Sequence, residues 1–155
     1  MKEPICLIIP GSPFLADSRV FPTLGIIRIA AVLENQGYPV EVLDLNAVDN
    51  YEAVVGEYLS TYAGTFVGIG LTTPQMPIVE KIITTIRQAR SDVKICLGGS
   101  HPTAVHASHR RAQRLGEVGR AHNAMSRLLE VSDVIVAGDG EEAISLALAP
   151  NAPKV

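Results

Sequence analysis

The chain has 155 residues, a net charge of −3 and a pI near 5.8. Apolar residues make up 47% of it and charged residues 19%, which suits one domain with a buried core and excludes a disordered chain. The slightly acidic balance argues against nucleic-acid binding, which needs an excess of Lys and Arg to neutralise phosphates. Every apolar run is short and interrupted by glycine, proline or charge, so the sequence predicts no membrane span.

Both cysteines, Cys6 and Cys96, lie inside apolar runs, where a free thiol usually behaves as a small buried hydrophobic group. Neither has a second thiol nearby in sequence, so neither predicts a metal or redox site. The first residues lack the basic start and long apolar stretch of a secretion signal. We therefore expect a cytoplasmic protein in a reducing environment.

Short apolar runs alternate with helical patterns along the chain. Five runs are predicted to be strands, because each is short, rich in β-branched residues and bounded by turn residues; they span residues 5–9, 40–43, 66–71, 93–97 and 133–137. Apolar residues at helical spacing predict helices over residues 24–36, 51–62, 76–86 and 140–148. The segment 106–130 has helical spacing as well, but Gly116 and Gly119 argue against one unbroken helix.

Strands that alternate with helices form a parallel sheet covered on both faces, and right-handed crossovers leave few topologies. The first, third and fourth runs are the most apolar, so we place them in the middle of the sheet. The sequence therefore predicts an α/β, flavodoxin-like (Rossmann-type), doubly wound five-stranded parallel sheet with the strand order 2-1-3-4-5. Residues 1–149 are expected to form this domain, and residues 150–155, with two prolines, to form a linker or tail.

A ligand of such a sheet binds outside the carboxyl ends of the strands, where the strand order reverses. The loops after strands one, three, four and five combine glycine, which allows close backbone approach, with short polar side chains. The candidate binding residues in these loops are Pro10, Gly11, Ser12, Thr72, Thr73, Gln75, Gly98, Gly99, His101, Gly138, Gly140 and Glu141. Helix capping alone enriches short loops in such residues, but four such loops on one edge favour a binding site.

Other common kinds of site are not supported. No Gly-x-Gly-x-x-Gly follows the first strand and no Gly-x-x-x-x-Gly-Lys-Ser/Thr occurs, so neither a dinucleotide site nor a P-loop is predicted. His106 and His109 are spaced three apart, but no third metal ligand accompanies them. The chain offers no recognisable catalytic residues of its own, and the sequence predicts a binding module rather than a complete enzyme.

Five motifs follow one another along the chain in the order found in a known family. They are Pro22-Thr23-Leu24-Gly25 followed by Ala30-Ala31-Val32-Leu33 and Gly37, Val40-Glu41-Val42-Leu43-Asp44, Val67-Gly68-Ile69-Gly70-Leu71-Thr72-Thr73-Pro74-Gln75, Leu97-Gly98-Gly99-Ser100-His101-Pro102-Thr103 and Val136-Ala137-Gly138-Asp139-Gly140-Glu141-Glu142. In these motifs, and over nearly its whole length, the chain resembles the N-terminal cobalamin (B12)-binding domain of B12-dependent radical SAM enzymes.

The resemblance implies a module that holds cobalamin at the carboxyl edge of the sheet. Gly98 and Gly99 would line the channel for the nucleotide tail of the cofactor, and Thr72 and Thr73 would bond to the tail or to the corrin amides. The Asp-x-His-x-x-Gly motif that supplies an axial histidine in mutases is absent after the first strand. The implied cofactor is therefore base-off and His-off, and we expect His101, which precedes a proline, to bond locally.

The resemblance also implies a partner, the radical SAM barrel domain of the same parent chain. The Cys-x-x-x-Cys-x-x-Cys motif of that barrel is not in this sequence, so S-adenosylmethionine and the iron–sulfur cluster would belong to the barrel. The parent would be a methyltransferase or a cyclase. The alternative is a cofactor-free flavodoxin-like scaffold or docking domain, which is favoured by the absent axial histidine and by Gly70, where the family commonly has Ser.

Overall fold

A computed structural model describes residues 2–15 and 23–155. Its strands are β1 (Ile5–Ile9), β2 (Val40–Asp44), β3 (Phe66–Gly70), β4 (Lys94–Gly98) and β5 (Val134–Ile135). Its α-helices are α1 (Leu24–Asn35), α2 (Tyr51–Thr61), α3 (Met76–Ala89), α4 (Ser100–Leu115), α5 (Arg120–Val131) and α6 (Gly140–Leu148), and a 3₁₀ turn (Thr73–Gln75) precedes α3. Pro22, the first residue of the first motif, lies outside the described residues.

The strands form one parallel sheet in the order β2-β1-β3-β4-β5. The predicted flavodoxin-like fold and strand order are therefore confirmed. Every residue of β1 is buried, because this strand has a neighbour on each side and helices on both faces. The strand β2 lies at one edge, and its more exposed sequence, with Glu41 and Asp44, suits that position.

Side chains alternate between the two faces of the sheet and build two separate cores. On one face, residues such as Ile8, Ile69 and Ile95 pack against α2, α3, α4 and α5. On the other face, Leu7, Phe66 and their neighbours pack against α1 and α6. Among the described residues, two helices thus cover this face of the five-stranded sheet, an arrangement that leaves room for a cavity.

The long segment after β4 consists of two helices, as its glycines indicated. Gly116 ends α4 in a left-handed conformation with φ +67°, and Gly119 precedes α5. The sequence placed the start of helical structure too late, however, because α4 already begins at Ser100. Pro102 is tolerated there because the first turn of a helix needs no amide donor at that position.

The carboxyl-terminal part of the chain departs from the sequence-based boundaries. Strand β5 comprises only Val134–Ile135 rather than residues 133–137. The amide of Ile135 donates to the carbonyl of Lys154 over 2.8 Å, so the last residues contact the open edge of β5. Ala152 packs against the α1 and α6 core. None of the described helices is long and apolar enough to cross a bilayer.

Candidate functional site

A cavity of about 580 Å³ opens at the carboxyl edge of the sheet, between α1 and α6. We call this cavity the trough. Its walls include Ile26 and Ile29 from α1 and Ile144 from α6, and its floor is the face of the sheet that these two helices cover. The volume lies in the range of sites for small molecules and cofactors.

The floor of the trough consists of two rows of residues set by strand register. Leu7, Gly68 and Cys96 stand side by side in an inner row on β1, β3 and β4. Gly70 and Gly98 pair in an outer row, two residues nearer the strand ends. Because the glycines carry no side chains, the sheet surface is low at these positions: Leu7 and Ile26 pack over Gly68 and Gly70, and Gly98 borders the cavity.

Several glycines around the trough are closely approached by neighbouring side chains. A Cβ atom built on Gly68 would lie 2.8 Å from Leu7 Cδ2, and one on Gly70 would lie 2.9 Å from Ile26 Cδ1. A Cβ on Gly140 would lie 2.9 Å from the Cδ1 atom of Ile29. Glycine at these three positions therefore allows Leu7, Ile26 and Ile29 to pack closely around the trough.

The two consecutive glycines after β4 have different roles in the structure. A Cβ on Gly98 would make ordinary contacts, 3.8 Å from the carbonyl oxygen of Val136. Gly99 has φ +98°, and a Cβ there would lie 2.8 Å from the carbonyl oxygen of Leu71. Gly98 thus borders open space in the trough, whereas Gly99 is required by its backbone conformation and by close backbone packing.

Polar groups at the mouth of the trough are tied together by Gln75. Its Oε1 atom accepts hydrogen bonds of 2.9 Å from both the amide and the hydroxyl of Thr72. Its Nε2 atom donates to the carbonyl of Pro10 over 2.8 Å. The loops after β1 and β3 are therefore held together, and the Thr72 hydroxyl takes part in a capping box before α3.

An ion pair joins the two helical walls. The Arg28 guanidinium of α1 makes two contacts of 2.8 Å with the Glu141 carboxylate of α6. Asp139 caps α6 by accepting a hydrogen bond from the amide of Glu141 over 3.0 Å. Because the Arg28 side chain is 68% exposed, this pair is worth no more than about 1 kcal/mol.

Nine of the twelve residues predicted from sequence line the trough. They are Pro10, Ser12, Thr72, Gln75, Gly98, Gly99, Gly138, Gly140 and Glu141. Gly11 lies beside it, where a Cβ would be 3.1 Å from the carbonyl oxygen of Leu45. Thr73 and His101 instead line a second cavity, of about 530 Å³, beside α4 and α5. Contact of each residue with a cofactor stays a prediction.

His101 bonds locally, as expected. Its Nδ1 atom lies 3.0 Å from the Thr73 hydroxyl. Burial lowers the pKa of the imidazole, and the positive charge of Arg127 lowers it further. The ring lies on the α4 and α5 side of the sheet edge, away from the trough.

Sequence reasoning missed Gly68 and Cys96 as lining residues. The available signal was the two-residue spacing of Gly68 and Gly70 in an otherwise bulky strand, which puts both on one face. Burial raises the pKa of the Cys96 thiol to about 12, so this sulfur is a neutral, unreactive part of the wall. Among the described residues, no group of three or more His, Cys, Asp or Glu side chains is arranged to hold a metal ion.

A family model identifies the family of the chain, and two solved structures show its fold. The family model described as B12 binding domain matches residues 18–129. The radical S-adenosylmethionine methyltransferase TsrM from Kitasatospora setae, solved with tryptophan substrate and a SAM analog, has a TM-score of 0.66 and 20% identity. The cobalamin-dependent S-adenosylmethionine radical enzyme OxsB, solved with aqua-cobalamin bound, has a TM-score of 0.57 and 15% identity.

This chain spans a quarter or less of both enzymes. The TsrM match covers 94% of this chain and 25% of the enzyme, and the OxsB match covers 92% of this chain and 18% of the enzyme. No curated protein sequence matches the chain. At these identities the two structures show a shared fold, whereas the family model covers well over half of the chain. By that match, the chain belongs to the B12 binding domain family.

Proposed function

We propose that the chain holds cobalamin base-off and His-off, as the cofactor module of a radical SAM enzyme of the methyltransferase or cyclase type. The observation that carries this proposal is the glycine-floored trough at the carboxyl edge of the sheet. Cobalamin has a broad corrin ring and a narrow nucleotide tail that ends in an aromatic base. An apolar trough with a polar mouth suits the tail, and the corrin would then cover the mouth.

The chain's own residues divide this task between them. Gly98 borders the space that the tail would enter, while Gly68 and Gly70 let the side chains of Leu7 and Ile26 pack close to the sheet. Ser12 and the Thr72–Gln75 turn at the mouth offer short polar groups of the kind that bond corrin amides. Bound cobalamin supplies a cobalt centre that transfers alkyl groups; the residues of this chain bind and orient it.

The base-off and His-off state is proposed from the positions of the histidines. Among residues 2–15 and 23–155, no histidine lines the trough. His101 lies in α4 and is engaged with Thr73, so reaching a cobalt over the mouth would require breaking that contact and moving the start of the helix.

His101→Ala is therefore expected to change the Kd for cobalamin by no more than about twofold, because His101 lines the second cavity rather than the trough and shares no partner with it. Electron paramagnetic resonance of the protein with cob(II)alamin is expected to show no nitrogen superhyperfine splitting, in wild type and variant alike. Splitting present in the wild-type protein and lost in His101→Ala would show that this histidine ligates the cobalt.

The partner in this proposal is a radical SAM barrel domain of the same parent chain, which would hold S-adenosylmethionine and the iron–sulfur cluster. It is supported by the two similar structures, both of which are radical SAM enzymes several times longer than this chain. Residues 1–149 would then be the cobalamin domain, and residues 150–155, which contact the edge of β5 and the α1 and α6 core, would lead from it toward the barrel. Two buried thiols, Cys6 and Cys96, suit a reducing cytoplasm.

A cofactor-free scaffold is the competing function. It is favoured by one packing detail, the approach of the Ile26 side chain to the position above Gly70, which narrows the trough. Incubation with hydroxocobalamin followed by gel filtration and a visible spectrum separates the two functions. We expect a stoichiometric corrin band that elutes with the protein; a protein peak without corrin absorbance would support the scaffold.

A further inference from the structure

The floor of the trough has no strong hydrogen-bonding side chain. Its inner row consists of Leu7, Gly68 and Cys96, and its outer row includes Gly70 and Gly98. The side chains that line the trough and carry hydroxyl, amide or charged groups stand in loops or near the helix starts at its mouth. Polarity along the described part of the trough therefore falls from the mouth to the inner row.

The backbone of the floor is also engaged. The strands β1, β3 and β4 are paired on both sides, so their amides and carbonyls are used in the sheet. At the outer row, the carbonyl of Gly98 accepts from the amide of Leu71 over 2.9 Å, and the amide of Val136 donates to Leu97. The Cys96 thiol is a weak donor only. A polar group that enters the inner part of the trough therefore loses its contacts with water and meets apolar surface instead.

We infer that the trough selects among corrinoids by the polarity of the lower base, and that it favours a benzimidazole-type base over a purine with an exocyclic amino group. This inference rests on the proposed function, because it requires the nucleotide tail to enter the trough. An amino group buried without a partner loses its hydrogen bonds to water, whereas the methyl groups of dimethylbenzimidazole match the apolar wall.

The direct test compares two corrinoids that differ only in the lower base, dimethylbenzimidazole or adenine. Each Kd is corrected for the cost of detaching the base from cobalt, which is obtained by acid titration of the free corrinoid. We expect the benzimidazole form to bind more tightly by roughly 10- to 100-fold, the discrimination that an apolar pocket achieves against an added polar group.

Two serine variants examine the cause of the selectivity, and they are chemically matched. Cys96→Ser puts a hydroxyl on the inner row of the trough, and Cys6→Ser makes the same change in the core on the opposite face. Cys96→Ser is expected to reduce the ratio of the two affinities by roughly fivefold, the worth of one hydrogen bond. Cys6→Ser is expected to leave the ratio unchanged. The cost of detaching the base from cobalt is a property of the free ligand, so it cancels when wild type and variant are compared.

Val136→Thr is the second variant, for use if Cys96→Ser does not fold. It adds a hydroxyl at the side of the outer row. We expect this variant, too, to reduce the ratio of the two affinities. Equal corrected affinities in the wild-type protein, or a ratio that no hydroxyl alters, would overturn the selectivity while the proposed function stands. Failure of both corrinoids to bind the wild-type protein would instead overturn the proposed function and this inference with it.

Discussion

Gly98→Val is expected to abolish cobalamin binding while the domain stays folded. The Cβ atom at this position makes ordinary contacts, 3.8 Å and 3.9 Å from atoms of Val136, and a β-branched residue suits a strand. The two methyl groups then project toward the trough that Gly98 lines. Extra methyl groups in a closely packed ligand site cost up to about 3 kcal/mol of binding free energy. We therefore expect a loss of affinity of roughly 100-fold or more in a calorimetric titration with hydroxocobalamin.

Gly119→Val is the matched control for this prediction. Gly119 precedes α5, away from the trough, and nothing lies within 4 Å of a Cβ built there. Its φ of 169° is extended backbone that any residue adopts. The control is expected to bind cobalamin with the wild-type Kd. Unaltered binding by Gly98→Val, with a wild-type circular dichroism spectrum, would show that the tail does not enter the trough.

Gly99→Ala is expected to act on stability, in contrast to its neighbour. Gly99 has φ +98° and ψ −168°, a region used almost only by glycine, and a side chain there costs about 1–3 kcal/mol. The added Cβ would also lie 2.8 Å from the carbonyl oxygen of Leu71, which accepts the amide of His101. Strain and steric conflict together are expected to lower the free energy of unfolding by about 3 kcal/mol.

Urea unfolding monitored by circular dichroism measures this loss, and Gly116→Ala is its control. Gly116 also has a positive φ, +67°, but nothing lies within 4 Å of a Cβ built there. That variant is expected to lose only about 1 kcal/mol, the cost of a left-handed non-glycine residue. Equal losses in the two variants would mean that the contact with Leu71 contributes nothing.

The strand order could be predicted because the burial of a strand restricts its amino-acid composition. A central strand of a parallel sheet meets apolar helices on both faces, so β1 and β3 are continuous apolar runs, while the edge strand β2 tolerates Glu41 and Asp44. The strand β5 was predicted too long because residues 133–137 have the composition of a strand. The observed length depends instead on how many hydrogen bonds the segment makes with the neighbouring strand.

The trough was only partly predictable, because its floor depends on register across strands. Gly98 follows from its place at a strand end, but the adjacency of Gly68 and Cys96 appears only when β3 and β4 are paired. Thr73 and His101 lie at the same sheet edge as the trough, yet on the side of α4. The sequence predicts that a residue lies at the carboxyl edge of the sheet. The position at which the next helix starts determines on which face of the sheet that residue lies.

Consecutive glycines illustrate the same limit. Gly98 and Gly99 are indistinguishable in sequence, and both were predicted to line a channel. In the structure both line the trough, but Gly98 borders its open space, whereas Gly99 supplies a backbone conformation. The difference lies in the backbone dihedral angles. A glycine permits many combinations of these angles, so its presence in the sequence does not specify which one it adopts.

The central claim is that cobalamin binds through its nucleotide tail in the glycine-floored trough. The most direct measurement titrates the wild-type chain with hydroxocobalamin and, in parallel, with diaquacobinamide, which has the corrin but no nucleotide. Burial of the apolar base is worth roughly 3 kcal/mol, so we predict one equivalent of cobalamin bound and, once the cobalamin Kd is corrected for the cost of detaching the base from cobalt, an affinity for cobinamide about 100-fold weaker. Equal affinities for the two corrinoids after this correction, or no binding of cobalamin, would contradict the claim.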